Sequence, residues 1–91
     1  DIVYVESIKH RLDVHTVSGT YSITSSLKAM EAQLDGHDFF RSNSCYLVNL
    51  AHVRGVADQE CLMTGGDSLR ISRPRKKAFM TALASFAGGI H

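Results

Sequence analysis

Between Arg11 and Thr24 the chain alternates with a period of two, and this limits the fold more than any other feature. Leu12, Val14 and Thr16 fall on one face of the first piece, and Asp13, His15 and Val17 on the other. Ser18-Gly19 supplies a turn signal, after which Thr20 to Thr24 resumes the alternation through Tyr21 and Ile23. Ile2 to Glu6, β-branched and aromatic, reads as a strand ahead of them. The three pieces predict a small antiparallel meander, with a polar, exposed link over Ser7 to His10.

Beyond the meander the period changes. Ser25-Ser26 offers N-cap hydroxyls, Leu27, Met30 and Leu34 (with Ala29 beside them) form a helical stripe, and Gly36 is placed to stop it. Phe39 to Arg41, Tyr46 to Leu50 and Val53 to Val56 read as short strands or strand-like turns. Glu60 to Thr64 and Ser68 to Ser72 flank Gly65-Gly66 as a hairpin, the glycines allowing positive φ at both turn positions. Pro74 suits the first turn of a last helix, because its missing N–H is not needed there. Phe79, Leu83 and Phe86 make that helix's stripe, and Gly88-Gly89 ends it. The expectation is a mainly β module with two short helices and no internal repeat.

With 91 residues, one domain over 1–91 is expected, burying about 60–65% of its unfolded surface. One modest core fits in that size, but not a deep enzyme cleft with a cofactor domain. A start at Asp1 suggests a cut or processed piece of a longer protein. No apolar run approaches the roughly 20 residues a membrane span needs, and nothing at the start resembles a signal peptide. Cys45 and Cys61 fit no CxxC spacing and are expected as free thiols in a reducing cytoplasm.

The formal net charge is only +1, but its distribution is uneven. No acid occurs from Ser68 to His91, whereas Arg70, Arg73, Arg75, Lys76 and Lys77 crowd together. Such crowding concentrates positive potential, or else merely solvates a helix start. The stretch Phe39 to Asn49 then combines Arg41, Asn43 and Ser44, placed as a loop would present them, with an alternating strand. On that strand Tyr46 and Val48 oppose Leu47 and Asn49. Short polar groups and arginine on a rigid strand suit the reading of base edges.

Chemistry is disfavoured. No local signature singles out a nucleophile and its base, and Gly65-Gly66 lacks the lysine and following helix of a phosphate loop. His10 and His15, an odd number of residues apart, would face opposite ways on one strand. No zinc spacing includes either cysteine. No enzyme activity, metal or cofactor is therefore expected.

Taken in order, these blocks resemble the LytTR DNA-binding domain, an output module of bacterial response regulators. Ile2-Val3-Tyr4-Val5-Glu6 is similar to its first strand, and Ser26-Leu27 with Met30 and Leu34 to its central helix. Phe39/Phe40, Arg41, Tyr46, Val48 and Asn49 match its most diagnostic block, and Ile71-Ser72-Arg73 its closing strand. The likeness runs from about Ile2 to Phe79. It departs at Asn43, Ser44 and Cys45, where the family usually carries histidine, a basic residue and serine, and at Pro74, where a second basic residue is common. These departures bear on the operator sequence, not the fold.

The resemblance implies an elongated arrangement of small antiparallel sheets with one short central helix and a C-terminal helix. Loops rather than a recognition helix enter successive major grooves of bent duplex DNA. By position, Lys9, His10 and Arg11 form the first reading loop, Asn43 and Ser44 with Arg41 the second, and Arg73 and Arg75, backed by Lys76 and Lys77, the third. Arginine can read guanine with two bonds, while lysine suits phosphate. The implied partners are promoter direct repeats of double-stranded DNA, a second copy of the chain on that DNA, and an upstream receiver or sensory domain in a two-component system. Membrane contact by this domain is not expected.

Each residue also has a plainer role open to it. His10 could be an exposed turn residue, Arg41 could pair an acid such as Glu6 or Asp38, and Asn43 could cap its own turn. Asn49 suits turn fixing, and Tyr46 suits the core with its hydroxyl satisfied. The rival for the whole chain is a small β module that docks a protein partner through an exposed Phe79, Met80, Leu83 and Phe86 stripe.

Overall fold

The alternating pieces pair as a computed structural model describes them over residues 1–34 and 38–88. Strands β1 (Ile2–Ile8), β2 (Arg11–Thr16) and β3 (Gly19–Ile23) form the meander, followed by α1 (Leu27–Gln33), β4 (Phe39–Asn43) and β5 (Tyr46–Asn49). A 3-10 turn at Leu50–His52 leads to β6 (Val53–Ala57), β7 (Glu60–Met63), β8 (Ser68–Arg70) and α2 (Arg73–Gly88). The strands form two antiparallel sheets, one ordered β3-β2-β1-β5-β4 and the other β6-β7-β8.

Strand alternation separates two cores. Val5, Leu12, Val14 and Leu47 leave one face of the large sheet and meet Leu27 and Met30 of α1. Tyr4 and Val48 leave the other face and meet Cys61, Met63, Leu69 and Ile71 of the small sheet region, with Phe79 of α2. Val3 joins that second cluster too, because the β1–β2 register shifts between Ile2 and Tyr4. Phe79 is fully buried, its ring edge-on to Phe40 at 5.9 Å between centroids. Full burial of each such aliphatic or aromatic side chain contributes about 1.5–3 kcal/mol, so α2 is anchored rather than loosely appended.

Local signals decide the joints. Ser26 caps α1, its Oγ accepting from the Ala29 amide at 3.1 Å. Asn49 caps the 3-10 turn, its Oδ1 accepting from the Ala51 amide at 3.0 Å, while its Nδ2 donates to the Ile2 carbonyl at 2.7 Å. Its expected structural role is therefore observed. Gly65 and Gly66 both have positive φ, 98° and 101°, as the β7–β8 turn was expected to need. Gly36 and Gly89 lie outside the described residues, so the stops expected there have no structural counterpart.

Two expectations change. β1 continues through Ile8, which pairs with Arg11, so the four-residue link shrinks to Lys9-His10. The stripe of α2 does not face outward: Phe79 is 0% exposed, and Leu83 and Phe86 pack against the same core, leaving Met80 exposed at 37%. The rival docking stripe is lost to packing. The molecule measures 34 × 29 × 25 Å, and one face of the larger sheet shares a core with the smaller one. No helix among the described residues is long and apolar enough to cross a membrane.

Candidate nucleic-acid interface

Tight pairing leaves two-residue turns where loops were expected. Lys9-His10 joins β1 to β2, with Lys9 in the left-handed region at φ 53°. Ser44-Cys45 joins β4 to β5, since Asn43 already pairs with Tyr46. These two turns are neighbours: the Ser7 amide donates to the Cys45 carbonyl at 2.8 Å. The second turn is also tied to the segment before α2. There the register slips between Arg41 and Asn43, turning Ser42 inward. Ser42 Oγ donates to the Arg70 carbonyl at 3.0 Å, and the Ser72 amide donates to the Ser42 carbonyl at 2.8 Å. A chain of hydrogen bonds thus runs from the first turn through the second to the residue preceding Arg73.

Individual side chains divide into free and engaged groups. Lys9, His10, Ser44 and Arg73 are exposed. Lys9, His10, Arg41 and Ser44 also border one hollow of about 460 Å³. Arg11 opens β2 rather than sitting at a loop tip, and its Nε lies 3.0 Å from Asp13 Oδ1. That guanidinium, with Ser22 Oγ at 2.7 Å, holds the Asp13 carboxyl below the usual carboxylate range.

Arg41 lies on β4, half-buried, with Nε 3.8 Å from Glu31 of α1. It pairs an acid, as its plainer role required, but neither Glu6 nor Asp38. Asn43 is the most fully occupied of the candidates. Its Oδ1 accepts from the amides of Cys45 at 2.8 Å and Tyr46 at 3.1 Å, and its Nδ2 donates to the Arg70 carbonyl at 3.1 Å. Asn43 therefore caps its own turn and straps it to β8.

The expected third loop is the first turn of a helix. Arg73 begins α2 and Arg75 is half-buried, its amide donating to the Ser72 carbonyl at 3.0 Å. Within α2, Arg73, Lys76 and Lys77 are spaced i, i+3 and i+4 and share one side of the helix, while Arg75 points away from them. Lys76 Nζ donates to the Asp58 carbonyl in the β6–β7 turn, and Lys77 borders a groove with Phe40 and Pro74. Among these, Arg73 is the cation set closest to the strapped turns along the chain.

Other groups serve the scaffold. Tyr4 Oη donates to Asp67 Oδ2 at 2.9 Å, and burial followed by that carboxylate pushes the phenol well above its ordinary range. Tyr46 is half-buried against the same core, its ring edge-on to Tyr4, and burial raises its phenol as well. His52 bridges Asp1 and Thr64 at 3.0 Å each, but Thr64 Oγ also turns to the His52 carbonyl at 3.3 Å. That chain staples the start of the molecule to two turns.

Glu6, Asp13 and His15, with ligand atoms within 4.8 Å of one another, are the one group among the described residues that could hold a metal. Sequence spacing set His15 against His10 and the two cysteines, not against these carboxylates. The Arg11 guanidinium already occupies an Asp13 oxygen, which opposes a cation there. Ser42 and Asn43 as straps escaped the sequence reading. An irregular register announces neither, and Lys28 beside the hollow carried no motif at all.

The chain is thus a mainly β scaffold that ties two polar turns to a cationic helix start. The LytTr DNA-binding domain family model matches residues 1–84, and the chain belongs to that family. Over 59 residues it is 36% identical to the CO-responsive transcriptional regulator RcoM of Rhodospirillum rubrum, a match covering 65% of this chain and 25% of that protein. The chain thus spans about a quarter of that relative's length. The fold is also similar to the LytTr domain of a protein described as a methyl-accepting/DNA response regulator from Bacillus cereus. There the TM-score is 0.80 at 21% identity, covering 90% of this chain and 80% of the other.

Proposed function

We propose that this domain binds double-stranded DNA sequence-specifically, as the output part of a longer bacterial transcription regulator. The Lys9-His10 turn, the Ser44 turn and the start of α2 enter successive major grooves of a promoter direct repeat, two copies occupying the repeat together. The regulator carries its receiver or sensory domain elsewhere and works in the cytoplasm. Arg73 reads a base, Arg75 supports it, and Lys9, Lys76 and Lys77 supply charge near the backbone. Arg11 and Arg41 join once the duplex outcompetes Asp13 and Glu31. Asn43 takes part by holding the second turn in place.

One observation carries this reading: the hydrogen-bond chain from Ser7–Cys45 through Ser42 and Asn43 to Arg70 and Ser72. It makes three expected contact segments neighbours on a stiff support, which limits the ordering entropy lost on binding. The test is selection of bound sequences from a random duplex pool, followed by titration against salt. Affinity should fall with a log–log slope of roughly −0.9 per neutralised phosphate. Arg73→Ala should cost about 1–3 kcal/mol on the selected site and relax preference at one base pair. Equal, salt-independent affinity for every duplex would end this reading.

A further inference from the structure

We infer that the hollow between the Lys9-His10 turn and the start of α1 seats one phosphate of the duplex backbone, with Lys28 as a contributing cation. This rests on the DNA-binding reading and extends it to an element to which none of the expected contacts belongs. The hollow is bordered by Lys9, Lys28 and Arg41, and no carboxylate residue shares its lining. These cations come from the first turn, α1 and β4, so the fold gathers charges that are remote in sequence. His10, Ser25 and Ser44 add hydrogen-bonding groups to the same border.

The chemistry favours a phosphate over a base. Lysine offers a compact charge without a planar fork, and hydroxyls offer single bonds. No tyrosine or phenylalanine borders the hollow, which leaves a base only the His10 imidazole to stack on. Position favours the backbone of a bound duplex over a free anion, because the hollow lies between the first turn and the Ser44 turn. A phosphate held there would fix where the duplex backbone sits against both turns, whose own spacing the Ser7–Cys45 hydrogen bond already sets. Glu31, one turn along α1 from Lys28, restrains Arg41 at 3.8 Å. The same short helix therefore positions one cation of the seat and supplies another.

The test compares wild type, Lys28→Gln and Lys28→Arg, with Arg54→Gln as a control for loss of one exposed charge on β6. Lys28→Gln should make the salt slope shallower by about 0.9, which at 0.15 M salt corresponds to roughly fivefold weaker binding. The loss should be equal on selected and random duplexes, and Lys28→Arg should restore most of it. In duplexes carrying single neutral methylphosphonates, one position should weaken wild type without further weakening Lys28→Gln.

An unchanged slope for Lys28→Gln, or an equal change for Arg54→Gln, would overturn the seat while leaving the DNA reading intact. Inorganic phosphate that binds wild type but not Lys28→Gln, while leaving duplex affinity unchanged beyond its ionic-strength effect, would also overturn it, reassigning the hollow to a free anion. Failure of wild type to bind any duplex in a salt-dependent way would instead remove the underlying reading.

Discussion

Replacing Asn43 by alanine separates a residue that supports a reading turn from one that reads. The substitution removes three bonds with the backbone, from the Cys45 and Tyr46 amides and to the Arg70 carbonyl, besides a weak one from the Cys45 thiol at 3.2 Å. A net intramolecular hydrogen bond is worth about 0.5–1.5 kcal/mol. Three of them give about 3 kcal/mol, trimmed to roughly 2–3 because water can reach part of this half-buried site. Against a typical total of about 5–15 kcal/mol for a small domain, the variant still folds. Urea denaturation followed by circular dichroism should show a midpoint lowered by about 1–2 M with an unchanged slope.

Asn43→Asp retains the Oδ1 acceptor for both amides but sets an oxygen against the Arg70 carbonyl, so it should lose less than alanine does. Binding to the selected duplex should weaken in both variants, in Asn43→Asp by more than its lost stability accounts for, because the new carboxylate repels the phosphates. The reasoning is refuted if Asn43→Ala keeps its stability within about 0.5 kcal/mol, the usual range for an unengaged surface site, yet loses preference at a single adenine. Asn43 would then be a base reader and its three hydrogen bonds incidental.

Phe79→Ala should destabilise by about 3–5 kcal/mol in the same assay, because its fully buried ring joins α2 to Phe40 and the second core. A native-state thiol assay should detect Cys45 and spare Cys61, which is fully buried, with both reacting in urea. Burial raises the Cys61 thiol to about 11. The folded state therefore holds that proton after the unfolded chain has lost it, and stability should fall as pH rises from about 9 to 11. Cys61→Ala should flatten that part of the profile. Asp13 has its carboxyl held down by Arg11 and Ser22, so its contribution is present above the unfolded value and fades as pH falls through the lower folded one. Asp13→Asn should free Arg11 and steepen the salt dependence of DNA binding; an unchanged slope would show that the pair does not restrain Arg11.

Much of the fold is legible because short-range rules act within a few residues. The Leu12/Val14 alternation, the Ser26 cap, the Leu27/Met30/Leu34 stripe and the paired glycines are local, and each appears where the residues indicate. The site was less legible. Arg41, Asn43, Arg11 and Lys76 were read from residue type as outward-facing, but each meets a partner supplied by another position: Glu31, Arg70, Asp13 and Asp58. Arg41, Asn43 and Lys76 meet partners remote in sequence. Arg11 stood at the head of the second alternating piece from the start and became a loop residue only by resemblance; its partner Asp13 lies two positions along the same strand.

The amino-acid sequence alone settled that this is a small, mainly β module with a basic stretch free of acids from Ser68 to His91, because periodicity, capping and charge are properties of neighbours along the chain. Which cations stand free, and that the two turns and the helix start are strapped together, was decided only by tertiary structure. Register slips at Val3 and Ser42 redirect side chains between faces, and hydrogen bonds spanning 27 and 28 residues, from Asn43 and Ser42 to Arg70, bind the parts. Such pairings depend on which strands meet, and local residue preference carries no record of that choice.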